Sequence, residues 1–117
     1  MSERVLIYGS RGWNRPALVR EFIHSLPNDA VVIHGGAAGA DTTAGRCAEN
    51  RGLTVIVYRA NWHAHGRAAG PIRNQRMIDD GKPTRACGFR MPGASRGTDH
   101  MTSLLVKHGI PHEVRTP

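Results

Sequence analysis

Residues 30–41 read Ala30-Val31-Val32-Ile33-His34-Gly35-Gly36-Ala37-Ala38-Gly39-Ala40-Asp41. A short apolar run, mostly β-branched and ended by glycine, reads as a strand buried on both faces (Ala30–Ile33). Glycines at 35, 36 and 39 force a tight turn. The segment from Ala40 to about Arg51 follows as a helix, with Gly52 as its C-terminal stop. Strand, glycine turn and helix together form the half-unit of a parallel α/β sheet.

The unit recurs on both sides. Arg4–Tyr8 (RVLIY) is an aliphatic strand closed by Gly9-Ser10. Pro16 suits a first helical turn, and Leu18, Phe22, Ile23 and Leu26 give that helix one apolar stripe as far as Leu26, before Pro27-Asn28-Asp29 breaks it. Leu53–Tyr58 (LTVIVY) is a third strand. Arg59 to Gly70 has no regular period and reads as a long loop; Pro71 then opens a helix that Gly81 ends. Arg85–Arg90 is a fourth strand with a weaker pattern. The Pro92–Thr98 glycine loop leads into a helix carrying Met101, Leu104, Leu105 and Val106, and Pro111–Val114 forms a final edge strand. The expected fold is α/β: a Rossmann-like three-layer sandwich around a mostly parallel sheet of about five strands. A length of 117 residues suits one domain spanning 1–117.

Composition narrows the partners. Lys and Arg total 16 against 9 Asp and Glu, for a formal charge of +7, so an anionic partner fits. Arginine far outnumbers lysine; its planar fork suits phosphate, although genome base composition produces the same bias. No apolar run approaches the roughly 18 residues of a membrane span, and the first strand is too short for a signal-peptide core, so no membrane partner is expected. Cys47 and Cys87 stand 40 residues apart without CxxC spacing, which indicates neither a disulfide framework nor a zinc knuckle. A cytoplasmic chain with two reduced thiols is the expectation.

Ligands of open α/β sheets bind beyond the carboxyl ends of the strands, where helix N-termini converge. Gly9-Ser10-Arg11, the residue 34–41 turn and the Pro92–Thr98 loop all fall at that edge. Their glycines allow close backbone approach, and free N–H groups at a helix start favour phosphate. Ser10, Ser95 and Thr98 add hydroxyls, and Arg11 and Arg96 add cationic forks. No Walker lysine follows these glycines, and GSRGWN is not a dinucleotide GxGxxG fingerprint. His63 and His65, spaced i, i+2 without carboxylate or thiol neighbours, do not form a metal site, and no cofactor is implied. His34 fits either a phosphate contact or a satisfied buried imidazole. Trp62 fits a core or interface anchor better than a base-stacking platform.

Taken together, Gly9-Ser10-Arg11 with Trp13, HGGAAGAD (34–41), Trp62-x-x-His65-Gly66 with Ala69-Gly70, Arg73-Asn74 and Ser95-Arg96-Gly97-Thr98 resemble the small DUF2493 group of the SLOG superfamily. That superfamily also holds the LOG-type phosphoribohydrolases and DprA-like proteins. The resemblance runs from residue 5 to about 114. It implies a Rossmann-like domain that binds a nucleotide or nucleotide-derived ligand, NAD-derived molecules included, often as a homo-oligomer; small members are frequent in phage and prophage genomes. Carried onto this chain, it implies Ser10 and Arg11 at the ligand edge, with Gly35, Gly36, Ala37, Gly39 and Asp41 as the central cradle. Gly93, Ser95, Arg96, Gly97 and Thr98 would hold phosphate. Arg73 and Asn74 would face the pocket or a neighbouring subunit. Asp41 would accept from a ribose hydroxyl or cap its own helix.

LOG hydrolases carry PGGxGTxxE, and Met101 stands here at the Glu position. A thioether neither transfers a proton nor stabilises an oxocarbenium ion, so no catalytic residue is assigned, and nothing in the spacing shows Asp41 or Asp99 as a substitute. The reading that follows is a sensor or sequestering module for a nucleotide-like anion. The alternatives are a hydrolase of an N-glycosidic bond in a nucleoside monophosphate or ADP-ribose derivative, and a basic nucleic-acid-binding domain. The arginines are scattered, without the aromatic-interleaved stripe of single-strand binders, which places nucleic acid behind a small ligand.

Overall fold

The computed structural model describes residues 2–117. Five strands, β1 (Arg4–Gly9), β2 (Val31–His34), β3 (Thr54–Val57), β4 (Arg85–Phe89) and β5 (His112–Arg115), form one sheet in the order β3-β2-β1-β4-β5. Every pairing is parallel, so the expected mostly parallel sheet is parallel throughout. β1 is central, and the chain winds outward from it in both directions, which sets the topological switch point between β1 and β4.

Five helices connect the strands: α1 (Pro16–His24), α2 (Ala40–Asn50), α3 (Trp62–His65), α4 (Ala69–Asp79) and α5 (Arg96–Lys107). Alternation along β1 divides the core into two halves. Val5 and Ile7 join Val19, Phe22, Ile23 and Ala44 under α1 and α2. Leu6 and Tyr8 join Met77, Ile78, Met101 and Leu105 under α4 and α5. The result is a three-layer sandwich with few aromatics, and Phe89 is the largest side chain fully buried in it. Trp13 and Phe22 meet the Phe89 ring edge-on at centroid distances of 5.3 and 6.3 Å.

The differences from the sequence reading lie between and at the ends of elements. α1 ends at His24, and Leu26 packs beyond it. From Trp62 the Arg59–Gly70 stretch is helical, not a long loop: Asn61 Oδ1 accepts from the Ala64 amide and caps α3, a 3-10 turn spans Gly66–Ala68, and α4 begins at Ala69, ahead of Pro71. No apolar stripe marks α3 because none of its residues is buried. α5 starts at Arg96, so Arg96, Gly97 and Thr98 belong to a first helical turn, not to a loop. The last strand lies one residue later than Pro111–Val114.

Truncating the shared aromatic of the α1–α2 half, Phe89→Ala, is expected to cost about 3–5 kcal/mol. Urea denaturation, read as a lower midpoint at unchanged slope, checks this.

Candidate functional site

A cavity of about 740 Å³ opens at the carboxyl edge of the sheet, at the switch point. The turn after β1 supplies Ser10 and Arg11, the turn after β2 supplies Ala37, and the first turn of α2 supplies Asp41. α3 and the 3-10 turn supply Trp62 and Arg67, α4 supplies Arg73 and Asn74, and the start of α5 supplies Ser95 through Thr98. The side chains of Tyr8, Met77 and Met91 add an apolar wall.

Ser10 joins the two central turns. Its amide donates to Phe89 O (2.9 Å), its hydroxyl meets Ser95 Oγ (2.8 Å), and the same oxygen accepts from the Met91 amide (3.0 Å). Ser95 occupies the N-cap position of α5, yet no side chain caps that helix, because the Ser95 hydroxyl is turned toward Ser10. The first amides of α5 therefore face the cavity edge without a capping oxygen, carrying the positive end of the helix dipole. Asn74 holds this start in place: its Nδ2 lies 3.3 Å from Gly97 O and 3.1 Å from His100 Nδ1, and its Oδ1 accepts from Arg73 Nε (3.1 Å).

The residue 34–41 turn behaves differently from the cradle expected of it. Asp41 Oδ2 accepts from the Gly35 amide (2.9 Å) and the Ala37 amide (3.3 Å). The carboxylate thus ties down the turn before its helix and does not cap the amides of α2. Amides already held by a buried carboxylate are not available to phosphate. Of this turn only Ala37 and Asp41 line the cavity; Gly35, Gly36 and Gly39 do not, nor does Gly93 of the later loop. Gly35 O accepts from Arg73 Nη1 (2.6 Å), and Gly36 packs against Arg59. Gly39 is needed for the backbone: its φ is +85°, and a Cβ there would lie 2.6 Å from Ser10 O. Its role is to let the β1 and β2 turns touch.

Two further residues resolve by environment. His34 is buried, its Nδ1 accepts from the Gly36 amide (3.0 Å), and burial followed by the charges of Arg59 and Arg73 lowers its pKa to about 4. It is a neutral structural imidazole outside the cavity. Trp62, expected as a core or interface anchor, is 49% exposed on the rim, with the Arg11 guanidinium 5.5 Å from its ring centre. Asp99 is exposed and forms a two-pronged pair with Arg90 (2.7 and 3.0 Å) away from the cavity lining. Met101 is fully buried in the core.

Arg67, Tyr8, Met77, Met91 and His100 also line the site, and sequence reasoning missed them. Arg67 lay in the aperiodic stretch, and the others carried core-like or generic signals. The lining holds four arginines (11, 67, 73, 96) against the single carboxylate of Asp41. No group of three or more metal-binding side chains occurs among the described residues. No helix among them is long and apolar enough to cross a membrane.

An open parallel sheet of this order with a cavity at its switch point defines a Rossmann-like α/β domain. Within that class, the chain belongs to the YspA, cpYpsA-related SLOG family (YAcAr), whose model matches residues 3–65. The chain is similar to the Gene 61 protein of Mycobacterium phage D29, 39% identical over 117 residues and covering 92% of each chain. Its fold is similar to that of DNA processing protein A (DprA) from Streptococcus pneumoniae, with a TM-score of 0.63 at 18% identity. That match covers 96% of this chain and 58% of DprA, so the chain spans little more than half of its structural neighbour. Membership of a SLOG family supports a nucleotide-related or nucleic-acid-related role.

Burial raises the Asp41 carboxyl to about 6, against the lowering effect of the Gly35 and Ala37 amides and of Arg73. A carboxyl raised in the folded state stabilises below its unfolded value of 3.8, and that contribution is lost as pH rises to about 6. His34, lowered from 6.5 to about 4, has the opposite slope, losing stability as pH falls through that window. The two offset each other between about pH 4 and 6. Asp41→Asn removes one slope and is expected to make stability fall on acidification, by up to ~1.4 kcal/mol per pH unit. Urea midpoints of both proteins across that range measure it.

Proposed function

We propose that the cavity binds a nucleotide or nucleotide-derived small ligand, ADP-ribose-like molecules among them, in a sensor or sequestering role. The observation that carries this reading is the uncapped start of α5 opening onto the cavity edge. A phosphate there receives helix amides, the one hydroxyl proton that the Ser10–Ser95 pair leaves free, and the Arg96 guanidinium. Arg11 and Arg67 extend the positive rim toward a second phosphate. Asp41, also in the lining, is an acceptor for a sugar hydroxyl through the carboxylate oxygen not bound to the Gly35 and Ala37 amides. Tyr8, Met77, Met91 and Trp62 offer apolar and aromatic surface to a base.

Gly35, Gly36, Gly39 and Gly93 enter this proposal as supports of the turns and not as contacts. The same reading takes the domain as cytoplasmic and homo-oligomeric. Buried unpaired Cys47 and Cys87 fit the first; the family resemblance and exposed Val57, Trp62 and Ile72 fit the second.

Titration calorimetry against AMP, ADP-ribose and cyclic ADP-ribose tests the proposal, and absent heats with all three from folded protein reject it. Arg96→Ala is expected to weaken the ligand that binds by about 10- to 100-fold, the range for losing a charged hydrogen bond.

A second reading is favoured by one observation: Asp41 lines the cavity with its carboxyl raised toward neutrality, as suits a general acid or base. Under it the site cleaves the N-glycosidic bond of a bound nucleotide. Free base accumulating in long incubations, and lost in Asp41→Asn, supports this reading; intact ligand removes it.

A further inference from the structure

Asn74 on α4 is buried, and its amide touches three partners. Oδ1 accepts from Arg73 Nε (3.1 Å), while Nδ2 lies 3.3 Å from Gly97 O and 3.1 Å from His100 Nδ1. Two of these partners have a fixed polarity, because a guanidinium nitrogen only donates and a backbone carbonyl only accepts. Turning the amide over would set its NH2 against Arg73 Nε and its oxygen against Gly97 O, two repulsive contacts around a buried group. The amide therefore has one orientation. Its two protons are divided between Gly97 O and His100 Nδ1.

That division decides the state of the imidazole. A ring nitrogen that accepts from Asn74 keeps its lone pair, so the ring proton sits on Nε2. A doubly protonated ring would press an Nδ1–H against the Asn74 N–H. Asp99, the neighbouring carboxylate that could favour a charged ring, is taken by Arg90 (2.7 and 3.0 Å). His100 lines the cavity, and among the described residues its Nε2 has no hydrogen-bond partner. It stands one helical turn beyond Arg96 on α5, and Met77 of the apolar wall stands on the Asn74 face of α4. The free N–H thus lies between the positive start of α5 and the apolar wall.

We infer that His100 is a ligand-contacting residue that donates through Nε2–H to an acceptor of the nucleotide, and that Asn74 is the positioning residue that keeps the proton there. The inference rests on the reading of the cavity as a nucleotide site. It adds to that site a neutral, directional donor, where the four arginines of the lining supply charge. A donor with no lone pair facing the ligand favours a base carbonyl, a ring nitrogen or a sugar-phosphate oxygen over an amine.

Nitrogen-15 NMR of the ligand-free protein at about pH 8, where an ordinary imidazole is neutral, reads the tautomer directly. The His100 signals, assigned by their absence in His100→Gln, are expected to show a bare Nδ1 and a protonated Nε2. In Asn74→Asp the new carboxylate accepts from Nδ1–H, so the proton should move to Nδ1. Titration calorimetry with AMP, ADP-ribose and ribose 5-phosphate reads the consequence for binding. His100→Leu is expected to weaken binding roughly 3- to 10-fold, the range for one neutral hydrogen bond, and His100→Gln, with an amide donor of similar reach, should restore most of it. A loss shared by AMP and ribose 5-phosphate supports the donor and places its acceptor on the sugar phosphate; a loss for AMP alone supports it and places the acceptor on the base. Asn74→Asp should weaken binding more in the wild-type background than in His100→Leu, whereas its added charge or a loosened α5 would act equally in both. A wild-type ring protonated on Nδ1, or an equal effect of Asn74→Asp in the two backgrounds, overturns the inference. Heats absent with every probe from folded wild type reject the nucleotide reading and this inference with it. Heats that His100→Leu leaves unchanged overturn this inference alone.

Discussion

The architecture depends on how closely β1 and β4 approach at their carboxyl ends. A Cβ on Gly9 would lie 2.5 Å from the backbone oxygen of Phe89 and 3.0 Å from Ala40 Cβ, atoms that cannot move without moving a strand or a helix. That contact lets the Ser10 amide reach Phe89 O, and from there the Ser10 hydroxyl reaches both Ser95 and Met91. Two crossover turns separated by some 80 residues of chain are thereby joined side to side. The start of α5, the Asn74 bracket and the shape of the cavity all follow from that junction.

Charge is distributed by a similar economy. The turn most rich in glycine satisfies itself, because Asp41 closes back on Gly35 and Ala37 while Arg73 takes the Gly35 carbonyl. Positive charge that is not consumed internally stays at the cavity rim and along α1 and α2. The conspicuous motif thus acts as a brace, and in the proposed reading the phosphate contacts fall to the plainer Ser95–Thr98 segment.

The sheet was legible because aliphatic runs such as VLIY and AVVI are buried on both faces, and such runs have few other uses. Ser10, Arg11, Asp41 and Ser95 were placed at one edge by topology alone, since every parallel crossover brings its turn there, whereas Asn74, inside a helix, was suggested only by the family resemblance. What the chain did not disclose was orientation. Nothing in HGGAAGAD says that the carboxylate points backward along the chain, and only the folded turn decides it. Arg67 was hidden, and Trp62 was read as an anchor, because α3 and its 3-10 continuation bury nothing and so leave no apolar period.

The two tryptophans occupy opposite surroundings. Trp13 is 7% exposed, with its indole N–H donated to Arg15 O and its ring on Phe89, while Trp62 stands at the cavity mouth. A sealed, apolar indole emits at shorter wavelength than a hydrated one, so the natural chain is a two-colour optical device. Its red component reads events at the rim, its blue component reads the integrity of the interior, and neither needs an attached dye.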